Sequence, residues 1–554
     1  MKTYDVIEFK NILDMLEVRY VTHHDKIAFY QKNKNKEFDK ITYAQLKGDV
    51  DYLKAALLDM GLKGKKIAII GKNRYEWALS YLATLCGVGV VVPLDKQLSD
   101  HEIKNCLDRV DVEAIIYSNE FEERLKKIAS DVKVKHYINM DDDIKPLINK
   151  GERLINNGMD INEAIDNEAL AALLFTSGTT SNSKVVMLSQ KNIMSNVKAG
   201  QMMVKVDEND TFLSILPLNH TLESTCVLLF PLASGAAIAY GDNLKNLPKD
   251  MKTIKPTTMM VVPRVTEAFY DKIVTAIEKK NKVRQVKLAM KLTNLLGKKK
   301  MVVKRKIFKE IHDEFGGKLR LLMMGGAPVN PKISAYFRDL GILAIQGYGL
   351  TECAPLVTLN SDTVYKDDST GMVMPGSDVI ITNPDEYGIG EIAVKGPQVM
   401  LGYYGDEETT KAVMKDGYLY TGDLGKFDKD GFLRILGRCK NVIVSASGKN
   451  IFPEEIESLL NENHLVKESL VYEDVVNNRG KLTAEVVITD IIKQKILEHP
   501  EAKEEIKKVL LEYLSEVNKK LSDYKRVHDI KIRLTEFEKT STLKIKRFLF
   551  NKQN

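Results

Sequence analysis

Short apolar, β-branched runs recur through the first three quarters of the chain, each followed by a stretch with apolar positions at helical spacing. The runs are KKIAII from Lys65, GVVVPLD from Gly89, VEAIIYS from Val112, TFLSILPL from Thr211, AAIAYG from Ala236, TTMMVVP from Thr257, LRLLMMGG from Leu319 and ILAIQGYG from Ile342. Strand then helix, repeated, predicts α/β layers with partly parallel sheets. Several runs end in glycine or polar loops, where open α/β sheets place their ligands, so the site is expected in a crevice shared by several loops. From about Gly371 the texture changes to hairpin-like runs, SDVIIT, GEIAVKG, GYLYTGD and GFLRILG, separated by Gly, Asp and Asn turns. These predict a small β-subdomain at about 371–437. Beyond GRCKN (437–441) come a helix from Pro453, two strands, a long charged helix and a last strand around DIKIRLTEF. The expected fold is therefore α/β. A large N-terminal domain, 1–437, has layered α/β sheets and the β-subdomain, and a C-terminal α+β domain spans 438–554.

Composition agrees with this division. A chain of 554 residues is too long for one core, and 44% hydrophobic with 29% charged residues is ordinary for a folded soluble protein. The opening MKTYDVIEFKNILDMLEVRY scatters charges among its apolar positions and does not read as a secretory signal. Apolar stretches such as CGVGVVVPL are far shorter than the roughly 20 residues of a membrane-spanning helix, so a cytoplasmic protein is expected. The five cysteines, 86, 106, 226, 353 and 439, are scattered and form no CxxC pair, which argues against a disulfide framework and a zinc site. The nine histidines include no HExxH, which leaves magnesium on carboxylate and phosphate as the expected metal chemistry. A net charge of +6 suits an anionic nucleotide and brings no aromatic and basic motif for nucleic acid.

The candidate chemistry begins at LLFTSGTTSNSKVVMLS, Leu173 to Ser189, where an apolar run enters a loop of hydroxyls, one glycine and one lysine. Converging backbone N–H groups, the hydroxyls of Thr176, Ser177, Thr179 and Thr180, the backbone at Gly178 and the charge of Lys184 suit phosphate. A Walker loop is excluded, because Ser183 stands where its second glycine belongs and Val185 where its magnesium-binding hydroxyl belongs. On these residues alone, a Ser/Thr-rich surface turn remains an equal reading. QGYGLTECAP places Gly347, Tyr348, Gly349, Thr351 and Glu352 on one tight loop: a ring to stack on a base, a hydroxyl for phosphate and a carboxylate for magnesium. In LLMMGGAPV, Gly325 and Gly326 let backbone approach a flat ligand. YTGDLG offers Asp423 for ribose hydroxyls, GRCKN offers Arg438, and KTSTLKIKRF offers Lys544. Each alone also has a plain structural reading as a turn residue, a helix-end charge or a solvated lysine.

In their joint order and spacing these motifs resemble the adenylate-forming superfamily of acyl-CoA synthetases, luciferases and peptide-synthetase adenylation domains, from ITYAQL at Ile41 to KIKRF at Phe548. Within it the chain is most similar to bacterial long-chain fatty acid CoA ligases. The residues that carry this are LPLNHTLE with His220, VVPRVTEAFYDKI, the basic insertion after it, FGGKLRLLMMGGAPV and GKNIFPEEIE. The resemblance implies ATP-dependent activation of a fatty acid to acyl-AMP and transfer to CoA, with ATP, Mg2+ and CoA as cofactors. It implies that Ser177 to Lys184 hold the β- and γ-phosphates, that Tyr348 and the turn Gly325, Gly326, Ala327, Pro328 flank adenine, and that Thr351 bonds the α-phosphate. Asp423 and Arg438 would hold the ribose, Glu352 the magnesium, and Lys544 would meet the charge developing at the α-phosphate. Lys440 is the implied hinge, and Ser447, Gly448 and Lys449 the pantetheine path.

His220 would sit beside the substrate carboxylate, with a packed core histidine as the other reading. Cys353 is expected to be packing, with no histidine near it in sequence and no nucleophile used there by the family. The chain departs from the family pattern at Ser181, Ser183 and Val185, for Gly, Pro and Gly, and at Leu543, for Gly. A ligase for another acid, a carrier-protein acceptor, or a nucleotide-binding relative without turnover stay open as alternatives. The segment 296–315, LGKKKMVVKRKIFKEIHDEF, reads as a basic amphipathic helix or helix pair. It is either a solvated helix or a peripheral contact with the inner, anionic face of a membrane.

Overall fold

The structure is a computed structural model. It describes all residues except 1–2, 34, 36, 177–183, 242–244, 296–299, 445–449, 477–478, 540–544 and 551–554, and the side chains of 300, 444, 450, 475–476, 479–480 and 548. The chain forms two compact units: residues 1–379 with 394–419, and residues 380–393 with 420–554.

The first unit contains two mixed sheets. The seven-stranded sheet runs Gly402–Tyr403, Val185–Ser189, Leu170–Phe175, Gly89–Leu94, Lys65–Ile70, Ala114–Tyr117, His136–Asn139. Its central strands are parallel, and Val185–Ser189 returns antiparallel on Leu170–Phe175. The KKIAII strand is buried from Ile67 to Ile70, the continuous apolar run expected of a parallel strand covered on both faces. The helices Asp100–Arg109 and Glu122–Ile128 close one face through Ile103, Leu107, Leu125 and Ile128.

The nine-stranded sheet centres on the parallel strands Leu343–Gly349, Leu321–Met324, Thr258–Val261, Thr211–Ser214 and Ala237–Tyr240. Alternation divides these strands between two cores. Leu322 and Met324 pack with Phe337, Val265 and Met290 of the covering helices, whereas Leu321 and Met323 pack with Ala199 and Met203 of the helix Gln190–Met203. All eight apolar runs of the sequence are strands here. An N-terminal pair, Ile27–Lys32 and Phe38–Thr42, adds the far edge. The sole tryptophan, Trp77, is fully buried in the first unit and stacks on Tyr81 with ring centroids 5.4 Å apart.

In the second unit residues 423–427 of the strand Tyr418–Phe427 pair antiparallel with Leu433–Arg438, setting Asp423 opposite Arg438. Farther on, Val466–Val476 and Arg479–Ile488 form a hairpin, and Asp529–Arg533 adds parallel to its second strand. The helices Pro453–Leu460 and Ala502–Lys520 bury Ile456, Leu460, Leu510, Leu514 and Val517 against Val471, Ala484 and Ile530. Among the described residues no helix is long and apolar enough to cross a membrane.

Helix entry follows local chemistry. The helix Tyr43–Asp59 starts with a capping box in which the Thr42 side chain accepts from the Gln45 N–H and the Gln45 side chain from the Thr42 N–H. Replacing Thr42 by Ala should lower the unfolding free energy of the first unit by about 1 kcal/mol, read as a reduced urea midpoint with unchanged slope.

Candidate functional site

The loop after Leu170–Phe175 is closed at its base by hydrogen bonds from the Thr176 N–H and Oγ1 to the Lys184 carbonyl, at 2.9 and 3.2 Å. Ser177, Gly178, Thr179 and Thr180 lie outside the described residues. Of the departures from the family pattern, Val185 is described: it is fully buried in the apolar core of the seven-stranded sheet. Its side chain fills space that a glycine would leave empty.

Lys184 reaches across the ring of Tyr403, its Nζ 4.4 Å from the ring centroid. The Tyr403 hydroxyl in turn donates to Glu352 Oε1 at 2.9 Å. Burial and the neighbouring Glu352 carboxylate push the Tyr403 phenol well above its ordinary pKa, so it stays a donor. Lysine, tyrosine and glutamate thus form one chain of contacts across three separate sequence segments. Tyr403 was missed by sequence reasoning, and the glycine-aromatic step GYY at Gly402 was its signal.

Glu352 sits on a single turn, Thr351–Cys353, shaped by close backbone approach. A Cβ on Gly349 would lie 2.0 Å from the Pro355 carbonyl oxygen, so only glycine fits there. The Leu350 N–H donates to the same carbonyl at 2.9 Å. From the helix Gln190–Met203 the buried Asn196 donates to the carbonyls of Cys353 and Leu356 and accepts from the Leu356 N–H. One turn earlier, Asn192 donates to the carbonyls of Pro397 and Val399, both at 2.8 Å, and so fixes the segment leading to Tyr403. The Met400 N–H closes the arrangement on the Glu352 carbonyl at 2.9 Å. Cys353 is fully buried.

Gly325, Gly326 and Gly347 meet at the C-terminal ends of the adjacent parallel strands Leu321–Met324 and Leu343–Gly349. A Cβ on Gly325 would lie 3.5 Å from Leu222 and 3.9 Å from the Gly347 carbonyl, and Gly326 takes φ +85°. Ala327 and Pro328 follow, exposed. Tyr348 lies in the same strand end, opposite Thr358.

His220 caps the short helix Thr221–Glu223 beyond strand Thr211–Ser214, and its Nε2 stands 3.9 Å from Asp95, which follows strand Gly89–Leu94 of the other sheet. Asn73, beyond a third strand, donates to Ser214 Oγ and the Leu216 carbonyl and accepts from the Leu218 N–H. Beneath this loop Glu223 accepts from Ser214 Oγ at 2.5 Å, and its Oε2 has no hydrogen-bond partner among the described residues. Burial raises its pKa to about 8, only partly offset by the Ser214 hydroxyl and the Leu216 and Ile215 N–H groups, so the side chain is largely a neutral acid near neutrality.

In the second unit Asp423 is buried and Arg438 Nε stands 2.7 Å from its Oδ1. Lys440 is exposed on the turn Cys439–Asn441. Ser447, Gly448, Lys449 and Lys544 lie outside the described residues, but the anchors flanking Lys544 do not. Lys539 pairs with Glu468 and Glu536, each at 2.7 Å, and Arg547 pairs with the buried Glu457. Among the described residues no cluster of three or more metal-ligating side chains occurs.

A profile of the family described as AMP-binding enzyme matches residues 16–404. Long-chain-fatty-acid–CoA ligase 5 of Rattus norvegicus is 28% identical over 475 residues, covering 79% of this chain and 70% of the relative. Long-chain-fatty-acid–CoA ligase FadD15 of Mycobacterium bovis is 27% identical over 475 residues, covering 81% and 77%. The crystal structure of ATP-bound MatB from Rhodopseudomonas palustris matches 98% of both chains with a TM-score of 0.76 at 23% identity, a likeness of fold. With the family profile spanning most of its length, this chain belongs to the AMP-binding enzymes, the adenylate-forming class.

Two outcomes follow from the buried polar groups. Asn196→Ala leaves carbonyls unpaired under the Thr351 turn and should cost roughly 1–3 kcal/mol in urea unfolding. Folded Glu223 holds a proton that the unfolded chain releases above about pH 4.5, so its contribution to stability is lost as pH rises from there to about 8, at ~1.4 kcal/mol per unit. Glu223→Gln should flatten that slope, measured as urea midpoints at several pH values across the window.

Proposed function

We propose that this enzyme activates a fatty acid, long-chain in preference, to acyl-AMP and passes the acyl group to CoA. A carboxylate oxygen attacks the α-phosphorus of ATP and pyrophosphate leaves. The sulfur of CoA then attacks the acyl carbon, AMP leaves, and the thiol proton passes to solvent. The observation that carries the reading is the chain of contacts from Lys184 through Tyr403 to Glu352, which holds a cation beside the phosphate loop and a carboxylate beside Thr351. The fatty-acid ligases among the relatives support the choice of acid and acceptor.

The first half-reaction brings two anions together, so positioned cations and donors are what the site has to supply. In this reading Ser177 to Lys184 hold the β- and γ-phosphates, Thr351 bonds the α-phosphate, and Lys544 offsets charge developing there. Tyr348 and the Gly325 to Pro328 turn flank adenine, Asp423 and Arg438 hold the ribose, and His220, steadied by Asp95, faces the substrate carboxylate. Glu352 is a single carboxylate, which fits Mg2+, an ion that commonly takes one or two carboxylates and completes its shell with phosphate and water. Bound Mg2+ would neutralise phosphate charge. Lys440 is the proposed hinge of a mobile C-terminal body, with Ser447, Gly448 and Lys449 along the pantetheine path. A long-chain acid partitions into bilayers, so the reading includes peripheral contact with an anionic membrane.

Acid-dependent exchange of pyrophosphate into ATP tests the proposal. Exchange is expected with long-chain fatty acids above aromatic and short acids, and thioester formation with CoA above carrier protein. Absence of exchange with every acid would overturn it. Lys544→Ala should abolish exchange while thioester formation from supplied acyl-AMP survives, because a cation at the α-phosphate matters only while charge develops there. Equal loss of both half-reactions would remove Lys544 from that role.

A further inference from the structure

The helical insertion after strand Thr258–Val261 concentrates the charge of the chain. From Lys279 to Lys309 there are thirteen lysines and arginines and no aspartate or glutamate. The whole chain carries +6, so the remaining residues sum to −7.

Folding engages part of this charge and leaves part of it free. Lys304 is buried and donates to the Arg338 carbonyl at 2.9 Å, and Phe308 is buried beside the core, so the expected cationic face on 296–315 loses its centre to packing. The segment is two short helices, Lys300–Ile307 and Lys309–Glu314. Lys280 pairs with Glu310, and Lys309 with Asp313. By contrast Arg284, Lys287, Lys291 and Lys306 are exposed and enter no ion pair among the described residues.

Those first three cations lie on the preceding helix, Val283–Asn294, which packs inward through Met290 and Thr293. At its outer face Leu288, Leu292 and Leu295 are 58%, 55% and 79% exposed. Positions i, i+4 and i+7 form one stripe, continued by the last leucine just past the helix end. Val302 and Ile307, 65% and 50% exposed, add apolar surface on the neighbouring helix. Single exposed leucines are ordinary, but three on successive turns beside unpaired cations are not.

We propose that this helix docks on an anionic lipid bilayer, with Leu288, Leu292 and Leu295 entering the interface and Arg284, Lys287 and Lys291 meeting the lipid phosphates. Charge complementarity selects this occupant, since a bilayer offers a negative surface and an apolar interior along the same plane. The inference deepens the fatty-acid reading above by naming the surface at which a membrane-dissolved substrate is met.

Co-sedimentation of the full chain with phosphatidylglycerol-containing vesicles, and with phosphatidylcholine vesicles alone, tests it. Binding is expected to the first and not the second, and to fall as salt shortens the Debye length towards ~8 Å. The double variant Lys287→Glu with Lys291→Glu should weaken binding about tenfold or more. Leu288→Ser with Leu292→Ser should weaken it at unchanged charge. Pyrophosphate exchange with a soluble acid, followed in the same preparations, reports on the ligase reading separately, and circular dichroism confirms folding. Vesicle binding that is absent, indifferent to salt or unchanged in both variants would overturn the proposal. So would a concentration-dependent dimer in sedimentation velocity that the leucine variant dissolves, which would assign the stripe to a second copy of the chain.

Discussion

Two asparagines on one helix hold the centre of the first unit together. Asn192 and Asn196 stand four residues apart on Gln190–Met203, so they share a face, and both are buried. Each uses its amide to pair carbonyls of a different loop, one leading to Tyr403 and the other shaping the Thr351 turn. A buried carbonyl without a donor is costly, so two irregular segments can be buried here only because a regular element supplies their missing partners. The helix itself is fixed by the hydrophobic packing of Ala199 and Met203 and by the Ser189 cap with its reciprocal Asn192 bonds. Packing positions the helix, and the helix positions the polar groups.

The same division recurs at the other loops. Parallel register brings Gly325, Gly347 and Tyr348 to one sheet edge, where Asn360 donates to the Gln346 carbonyl and Gln346 to the Asp367 carbonyl beside them. The His220 loop needs more, because it leaves the sheet and must turn. It is held by Asn73 from one side and by Glu223 from beneath, at the cost of burying an acid that is stable there mainly in its neutral form. Cys86 and Cys106, whose thiols burial pushes up to about 12, show the plainer outcome in which a polar group is only filling space.

Much of the fold was legible because its signals are local. Runs such as KKIAII and LLMM are strands because parallel strands buried on both faces need continuous apolar sequence, and the four hairpin runs after Gly371 are strands as well. The strands Ile27–Lys32 and Phe38–Thr42 escaped, the second because the charged pattern FDKIT at the sheet edge resembles a loop. At the site, glycines, hydroxyls and carboxylates could be picked out by type and then by joint order. Asn192, Asn196, Glu223 and Arg547 could not. The asparagines and Arg547 act through partners distant in sequence and Glu223 through a serine nine residues back, and an asparagine inside a helix or a glutamate after a histidine carries no local mark of what it will meet. The basic insertion was visible as composition, but which of its cations fold inward, as Lys304 does, depends on the helix it packs against.

Trp77 gives the two units unequal visibility. The only tryptophan of the chain is sealed in the first unit against Tyr81, so its emission reports the melting of that unit and is blind to the second. Far-ultraviolet ellipticity, by contrast, sums the helices of both. Coincident unfolding curves from the two probes would mean one cooperative transition, and separated curves would mean that the units melt independently. The native chain therefore carries its own reporter for domain coupling, without any label being added.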